Sequence, residues 1–351
     1  MKSKKNKKSK INKSLKNNFS DELPNIKDCI LSVKSKSLIE NLDKTKNYLE
    51  KNNFREKNKR VIIPLINEVR KITKNNILKK PIFRKYTNKK YIKTKDCYCS
   101  IIFNDESYLP GILTLGHSLR RTDTKKNIVC LVQDRPSKDN KYPGLTKKNI
   151  IDILEIYDIV YGFDLLKLEN FTIHNPVFKL NHYKNLHIYV NKCLILGMID
   201  YKKIFFLDAS TITLKNLDSL FNKTVNNSLR FNYFNKNKYD LACNGQYMII
   251  KPSLELYNNL LIIIQNYKNI LKKYLSRSGI DEVVFSMILF SKYSKLKNID
   301  NIIAYQVYKP WNTYMQLSLI DDCNDLKQKS SYWFKMTKDL IDKYPKLIEY
   351  Y

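Results

Sequence analysis

The stretch KKIFFLDAS, residues 202–210, joins two lysines, four apolar residues and then Asp208, Ala209 and Ser210. The apolar run predicts a buried strand, and Asp208 follows the carboxyl end of that strand. Alternation along an extended chain would put positions 208 and 210 on one side, where they could share a ligand. A carboxylate and a hydroxyl are oxygen ligands that suit a hard divalent cation, although the hydroxyl brings no charge. The alternative is an ordinary strand end with one aspartate.

Strands and helices alternate on both sides of this stretch. CYCSIIF and NIVCLVQD are predicted strands, and IIDILEIYDIVYGFD reads as a helix followed by a strand. The segments around LPGILTLGHSL and NHYKNLHIYVNKCLILG are predicted helices. Continuously apolar strands that alternate with helices indicate an α/β domain with a mixed, mostly parallel sheet covered on both faces. Such sheets bind ligands beyond the carboxyl ends of their strands, which is where Asp208 lies.

The positive charge is concentrated near the N-terminus. The chain has 351 residues and a formal net charge of +31, of which residues 1–95 contribute 29 Lys and Arg against 8 Asp and Glu. We expect a disordered Lys-rich tail over residues 1–18, a basic and mostly helical extension over 19–95, and the α/β domain over 96–351. The tail could contact an acidic partner such as nucleic acid or acidic lipid. A solvated tail is the alternative.

The sequence contains no run of 18 apolar residues, and its lysine-rich start lacks the apolar stretch of a secretory signal. We therefore expect a cytoplasmic protein. The seven cysteines show no paired spacing beyond Cys97-x-Cys99, which we interpret as two small buried residues of a strand because a zinc site needs about four ligands. These features favour a reducing, intracellular compartment.

Several motifs occur in the order found in a known family. They are FNDESYLPGILTLGHSLRRT, KKIFFLDAS, CNGQYMIIKPSLELYNNL, SGIDEVVFSMIL and YQVYKPW. Over about residues 97–340 the chain resembles the glycogenin-like family-8 glycosyltransferases. The resemblance implies a GT-A fold, which is Rossmann-like, and transfer of a hexose from a UDP-sugar with retention of anomeric configuration. It leaves the sugar unspecified, as well as whether the acceptor is a glycan or a protein.

The resemblance also implies residues that hold the nucleotide. Asn104 would contact the nucleotide and Tyr108 would stack on the base, since an amide and an aromatic face can hold a flat polar ring. A turn asparagine and a core tyrosine are the alternatives. Lys192, sixteen residues before Asp208, would neutralise the phosphates and the departing UDP, and Lys309 of the KPW motif would reach the diphosphate.

Around the transferred sugar, the resemblance implies that Asn244 contacts the sugar. Asp281 would stabilise the positive charge that develops at the anomeric carbon, or would orient a sugar hydroxyl. Its alternative is a helix N-cap, and both roles can hold at once. Further donor contacts are implied for the remaining matched positions, Ala209, Gln246 and Glu282.

The metal ligands depart from the family pattern. Family members bind Mn²⁺ or Mg²⁺ with two carboxylates of a DxD motif and a histidine. Here Asp208 is retained, Ser210 stands in place of the second acid, and Ile303 stands in place of the histidine. We therefore expect Asp208 to hold a divalent cation weakly, or only together with the donor.

Three interpretations follow from these motifs. The first is a UDP-sugar-dependent hexosyltransferase with reduced metal dependence, in which lysines supply the positive charge. The second is a catalytically degenerate protein that binds sugar nucleotides without turnover. The third, supported only by the basic N-terminal segment, is a protein that binds nucleic acid or membranes.

Overall fold

This computed structural model describes residues 30–32, 77–87, 92–104, 106–166, 186–223, 247–265, 302–304 and 324–351. The strands of these segments are β1 Ile30–Ser32, β2 Ile77–Lys79, β3 Arg84–Thr87, β4 Asp96–Ile102, β5 Asn127–Gln133, β6 Ile159–Phe163, β7 Lys203–Leu207, β8 Thr211–Thr213, β9 Tyr247–Ile250 and β10 Ile302–Ala304. The α-helices are α1 Leu109–Arg121, α2 Lys147–Leu154, α3 Ser219–Lys223, α4 Leu254–Gln265 and α5 Asn324–Lys343. Short 3₁₀ helices span Glu106–Tyr108 and Pro345–Tyr350, and a longer one spans Leu186–Gly197.

Six strands form the main sheet in the order β3-β6-β5-β4-β7-β9. The four central strands are parallel, while β3 and β9 run antiparallel at the two edges. From β4 the chain proceeds outward through β5 and β6, and it then returns to place β7 on the other side of β4. The strand order therefore reverses between β4 and β7, and such a switch point opens a crevice at the carboxyl ends of the strands.

Helices cover the two faces of this sheet. One face packs against α1, whose apolar positions Ile112, Leu115 and Leu119 are buried, together with α2 and the end of α5. Alternation along the strands sends Cys99 and Phe206 to the other face. There the sulfur of Cys99 lies 3.9 Å from that of Met198, which directly follows the long 3₁₀ helix. The predicted α/β class with a mixed, mostly parallel sheet is confirmed.

Residues that precede position 96 in the sequence also form part of the main sheet. Strand β3, sequence RKYT, pairs with β6 and lies within the range that the sequence assigns to a mostly helical extension. The other described residues of that range include strands β1 and β2, which pair with each other. These pairings join residues far apart in sequence, so local periodicity in a lysine-rich stretch does not predict them. The tail over residues 1–18 lies outside the described residues.

The buried cysteines behave as the sequence predicts. Cys97 and Cys99 are both buried in β4, and burial raises the pKa of each thiol well above its ordinary value. Within the described part of the chain, no group of three or more His, Cys, Asp or Glu residues could hold a metal ion. None of the helices described above has the length and apolar character needed to cross a membrane.

Candidate functional site

Two of the predicted site residues meet directly at the switch point. Asp208 follows the carboxyl end of β7, and Lys192 lies in the 3₁₀ helix that covers the same end of the sheet. The Lys192 Nζ atom is 3.1 Å from Asp208 Oδ2, and the two side chains are 8% and 22% exposed. The ammonium also lies over the ring of Phe206, 5.7 Å from its centroid, which adds a cation–π contact. The site thus carries a largely buried cation beside a carboxylate that solvent can still reach.

The segment DAS forms a turn rather than a continuation of the strand. The backbone N–H of Thr211 donates to the carbonyl oxygen of Asp208 at 2.9 Å. Asp208 Oδ1 accepts hydrogen bonds from the N–H of Ser210 at 3.1 Å and from its hydroxyl at 2.9 Å. An aspartate that bonds the backbone two residues ahead is a common way to fix such a turn. Positions 208 and 210 are therefore adjacent, as predicted. The turn brings them together, whereas the prediction relied on alternation along a strand.

These contacts test whether the residues present suit a metal ion. One carboxylate oxygen of Asp208 pairs with the Lys192 ammonium, and the other accepts two bonds from Ser210. The Ser210 hydroxyl points its proton at Asp208 and supplies no charge. A hard dication prefers several oxygen ligands with negative charge, so this donor set does not fit a preformed cation site. Ala209 is buried inside the turn and offers no polar side-chain atom.

The position that replaces the family histidine lies beside this turn. Strand β10 pairs with β8, and Ile303 is opposite Ile212 in the register. Because β8 begins directly after Ser210, the backbone of position 303 runs alongside the segment that follows DAS. The match of Ile303 to the family's metal-ligating position stays a prediction.

Asn104 lies beyond the carboxyl end of β4, the neighbour of β7 in the sheet. Its backbone has a φ of +81°, a left-handed conformation that asparagine adopts more readily than most residues. Its N–H donates to Gln133 Oε1 at 2.8 Å, and its carbonyl accepts from the N–H of Gly144 at 3.0 Å. Both polar groups of its backbone are therefore held by the loop that follows β5.

Tyr108 ends the short 3₁₀ helix and directly precedes α1, which has Pro110 in its first turn. Its ring is half-buried and packs against the core. This position satisfies the expectation of a core tyrosine and leaves part of the ring available to a ligand. The remaining predicted residues, Asn244, Gln246, Asp281, Glu282 and Lys309, lie outside the described residues.

Two buried amides were not predicted from the sequence. Gln133, the last residue of β5, and Asn191, the neighbour of Lys192, are both 0% exposed. Asn191 accepts from the N–H of Leu166 at 2.7 Å and donates to its carbonyl at 2.9 Å, which ties the 3₁₀ helix to the segment after β6. The only signal in the sequence is a polar residue at the end or in the middle of an apolar run.

No protein-family model matches the chain. The chain is 24% identical over 278 residues to UDP-glucuronate:xylan alpha-glucuronosyltransferase 2 of Arabidopsis thaliana, covering 71% of this chain and 42% of the relative. It is 25% identical over 232 residues to glycogenin of Neurospora crassa, covering 65% and 30%. It is 30% identical over 169 residues to inositol phosphorylceramide glucuronosyltransferase 1 of Arabidopsis thaliana, covering 48% and 26%. The chain spans less than half the length of these three relatives.

Solved structures similar to the chain include the galactosyltransferase LgtC in complex with donor and acceptor sugar analogs. That match is 12% identical, covers 70% of this chain and 95% of LgtC, and has a TM-score of 0.46. The glycosyltransferase GlyE of Streptococcus pneumoniae matches at 17% identity over 71% of this chain and 64% of GlyE, with a TM-score of 0.41. The sequence relatives, which include glycogenin itself, confirm the relationship to the glycogenin-like family-8 glycosyltransferases that the motifs predict.

Proposed function

We propose that this protein is a glycosyltransferase that transfers a hexose from a UDP-sugar to a glycan or protein acceptor with retention of configuration. The observation that carries the proposal is the Lys192–Asp208 pair at the switch point of the sheet, beside the strand end that bears Asn104. The sequence relatives add support, because one of them, UDP-glucuronate:xylan alpha-glucuronosyltransferase 2, carries UDP-glucuronate in its name.

The geometry suggests how the donor would lie. Asn104 and Tyr108 would hold the uridine at the end of β4, and the diphosphate would extend toward β7 and the Lys192 ammonium. When the bond between the anomeric carbon and the phosphate oxygen breaks, negative charge develops on UDP. A fixed ammonium in a partly closed site stabilises that charge more than water does. Lys309, predicted from its motif, would add a second positive charge.

The sugar end of the site follows from the resemblance. Asn244 would hold the sugar, with Gln246 and Glu282 as further donor contacts, and Asp281 would stabilise the positive charge at the anomeric carbon. The acceptor oxygen would form the new bond to that carbon on the same face, as retention requires. Its proton would leave through a phosphate oxygen of UDP or through water.

Reduced metal dependence is part of the proposal. The Lys192 ammonium pairs with one carboxylate oxygen of Asp208 and Ser210 donates to the other, so both oxygens already have partners. A lysine can hold phosphoryl charge in a protein site as a point charge. Mn²⁺ or Mg²⁺ would then bind weakly, and only when the donor phosphates complete its ligand set.

The test combines binding and turnover. Calorimetric titration with UDP, and measurement of UDP release from UDP-glucose, UDP-galactose, UDP-N-acetylglucosamine and UDP-glucuronate, are carried out with Mn²⁺ and with a chelator. We expect UDP to bind under both conditions and at least one donor to be turned over, with a modest metal effect. Absence of UDP binding with and without metal would overturn the proposal. Binding without turnover of any donor would favour the degenerate interpretation.

A further inference from the structure

The buried carboxamide of Gln133 connects three backbone segments at the nucleotide end of the site. Its Oε1 atom accepts the N–H of Asn104 at 2.8 Å. Its Nε2 atom donates to the carbonyl oxygens of Arg135 and Tyr142, each at 3.0 Å. The residue is 0% exposed, so solvent cannot replace any of these bonds. Three separate peptide groups therefore depend on one side chain.

Only a carboxamide satisfies this arrangement. The side chain must accept from one N–H and donate to two carbonyls at once, and the amide has two donor protons and an acceptor oxygen. The bonding partners also fix which end of the amide is oxygen, because only the oxygen can accept from the Asn104 N–H. Glutamate of the same shape lacks both donors, and methionine lacks all three bonds.

The loop held by Gln133 in turn holds Asn104 from its other side. Gly144 donates its N–H to the Asn104 carbonyl at 3.0 Å, and it has a φ of +73°. A Cβ atom at position 144 would lie 2.8 Å from the carbonyl oxygens of both Gln133 and Arg135, so only glycine fits there. Within the loop, the N–H of Ser137 donates to the carbonyl oxygen of Tyr142, and the N–H of Tyr142 donates to the hydroxyl oxygen of Ser137.

We infer that Gln133 is a positioning residue for uridine recognition: it fixes the left-handed backbone of Asn104, and so directs that side chain. This inference rests on the proposed function. A left-handed backbone is unfavourable for a residue other than glycine, although less so for asparagine, and it persists where the surroundings hold it. The bonds from Gln133 and Gly144 to the two polar groups of the Asn104 backbone supply that constraint.

The experiment compares matched amide-to-acid substitutions at the two ends of β5. Gln133→Glu keeps the size of the side chain and removes the two donors. Asn127→Asp is the control: Asn127 begins the same strand, is 5% exposed, accepts two bonds from Thr94 and donates one to Ile92, all at the edge opposite the site. Thermal melting shows whether each variant folds, and calorimetric titration gives its affinities for UDP and for ADP.

We expect Gln133→Glu, which keeps the acceptor for the Asn104 N–H but loses both bonds to the loop that holds the Asn104 carbonyl, to weaken UDP binding roughly 5- to 30-fold and ADP binding far less. The preference for UDP over ADP should fall accordingly. Asn127→Asp should lower the melting temperature and leave that preference unchanged. If Gln133→Glu lowers the melting temperature and leaves the preference for UDP over ADP unchanged, the role of Gln133 is purely structural. That result would overturn the inference.

A double-mutant cycle tests whether the effect passes through Asn104. Asn104→Gly removes the side chain while glycine still accepts a positive φ. In that background, Gln133→Glu should change the UDP preference little, because the side chain that it directs is gone. Equal effects in both backgrounds would overturn the inference. If Gln133→Glu does not fold, Ser137→Ala, which removes two side-chain hydrogen bonds from the same loop, must lower the UDP preference in the same direction or the inference fails. A wild-type protein that binds no UDP would refute the proposed function itself.

Discussion

Lys192→Met is the sharpest perturbation of the proposed site. The Lys192 Nζ atom lies 3.1 Å from Asp208 and 5.7 Å from the centroid of Phe206, and the side chain is 8% exposed. Methionine keeps an unbranched apolar stem of similar length and removes the charge. A charge-assisted hydrogen bond to a phosphate contributes about 1.5–3 kcal/mol, so UDP affinity should fall about 10- to 150-fold.

The same substitution leaves the Asp208 carboxylate without its ammonium partner. This loss should lower the stability of the folded protein, apart from any effect on UDP binding. Removing one partner of a fully buried pair costs about 3–5 kcal/mol. Asp208 is 22% exposed and keeps two hydrogen bonds from Ser210, so we expect a smaller loss, about 1–2 kcal/mol in the free energy of unfolding. Adding Asp208→Asn removes the stranded charge. The double variant should regain part of that stability without regaining UDP affinity.

The measurements are calorimetric UDP titration and urea denaturation, and the chain offers a matched control. Lys126 Nζ lies 3.2 Å from Asp96 and 5.6 Å from the ring centroid of Phe221, at the amino ends of the strands. Lys126→Met should cost some stability and leave UDP affinity unchanged. If Lys192→Met and Lys126→Met have equal effects on UDP affinity, Lys192 does not face the diphosphate and the reasoning is refuted.

Three further predictions follow from particular contacts. Ser210→Asp should strengthen Mn²⁺ binding measured in the presence of UDP, because it adds an anionic ligand beside Asp208; equal binding by wild type and variant would show that position 210 is remote from the diphosphate. Gly162→Ala places a Cβ atom against the carboxylate of Asp134, so the free energy of unfolding in urea should fall by about 1–3 kcal/mol, and an unchanged denaturation midpoint would contradict this clash. Burial lowers the pKa of His117 below its ordinary 6.5, against the opposing effect of its hydrogen bond to Asp339. The unfolded chain then binds more protons, so stability should decline as the pH falls below 6.5, and His117→Gln should flatten that decline in pH-dependent melting curves.

The central strands and their order along the chain could be predicted because their signal is local. Each is a short, continuously apolar run, and helices with apolar positions at helical spacing separate them. The adjacency of Asp208 and Ser210 could also be predicted, since only one residue separates them. The reason given for it was wrong: after Leu207 the chain turns, and Asp208 stabilises that turn by bonding the N–H and hydroxyl of Ser210.

The edge strand β3 could not be predicted because its partners are distant. Arg84–Thr87 is short and basic, and the strand preference of Tyr86 and Thr87 alone is too weak a signal to predict a strand. It is held by the pairing with β6 and by Arg84, which bonds Asp134 after β5 and Asp164 after β6. Tyr86 adds a hydrogen bond to the same Asp134 at 2.7 Å. These contacts bridge about 50 to 80 positions of the chain, which single-sequence patterns do not report.

The two Lys–Asp pairs show why location, and not chemistry alone, identifies a candidate site. Both join an ammonium to a carboxylate within 3.2 Å, and both lie over a phenylalanine ring. Asp96 begins β4 and Asp208 follows β7, so the pairs occupy opposite ends of neighbouring parallel strands. Within the described part of the sheet, the reversal of strand order opens a crevice at the carboxyl ends, where the left-handed Asn104 follows β4, the neighbour of β7. The Lys126–Asp96 pair therefore lies at the amino ends of the strands, whereas the Lys192–Asp208 pair lies at the end where the proposed function puts the diphosphate.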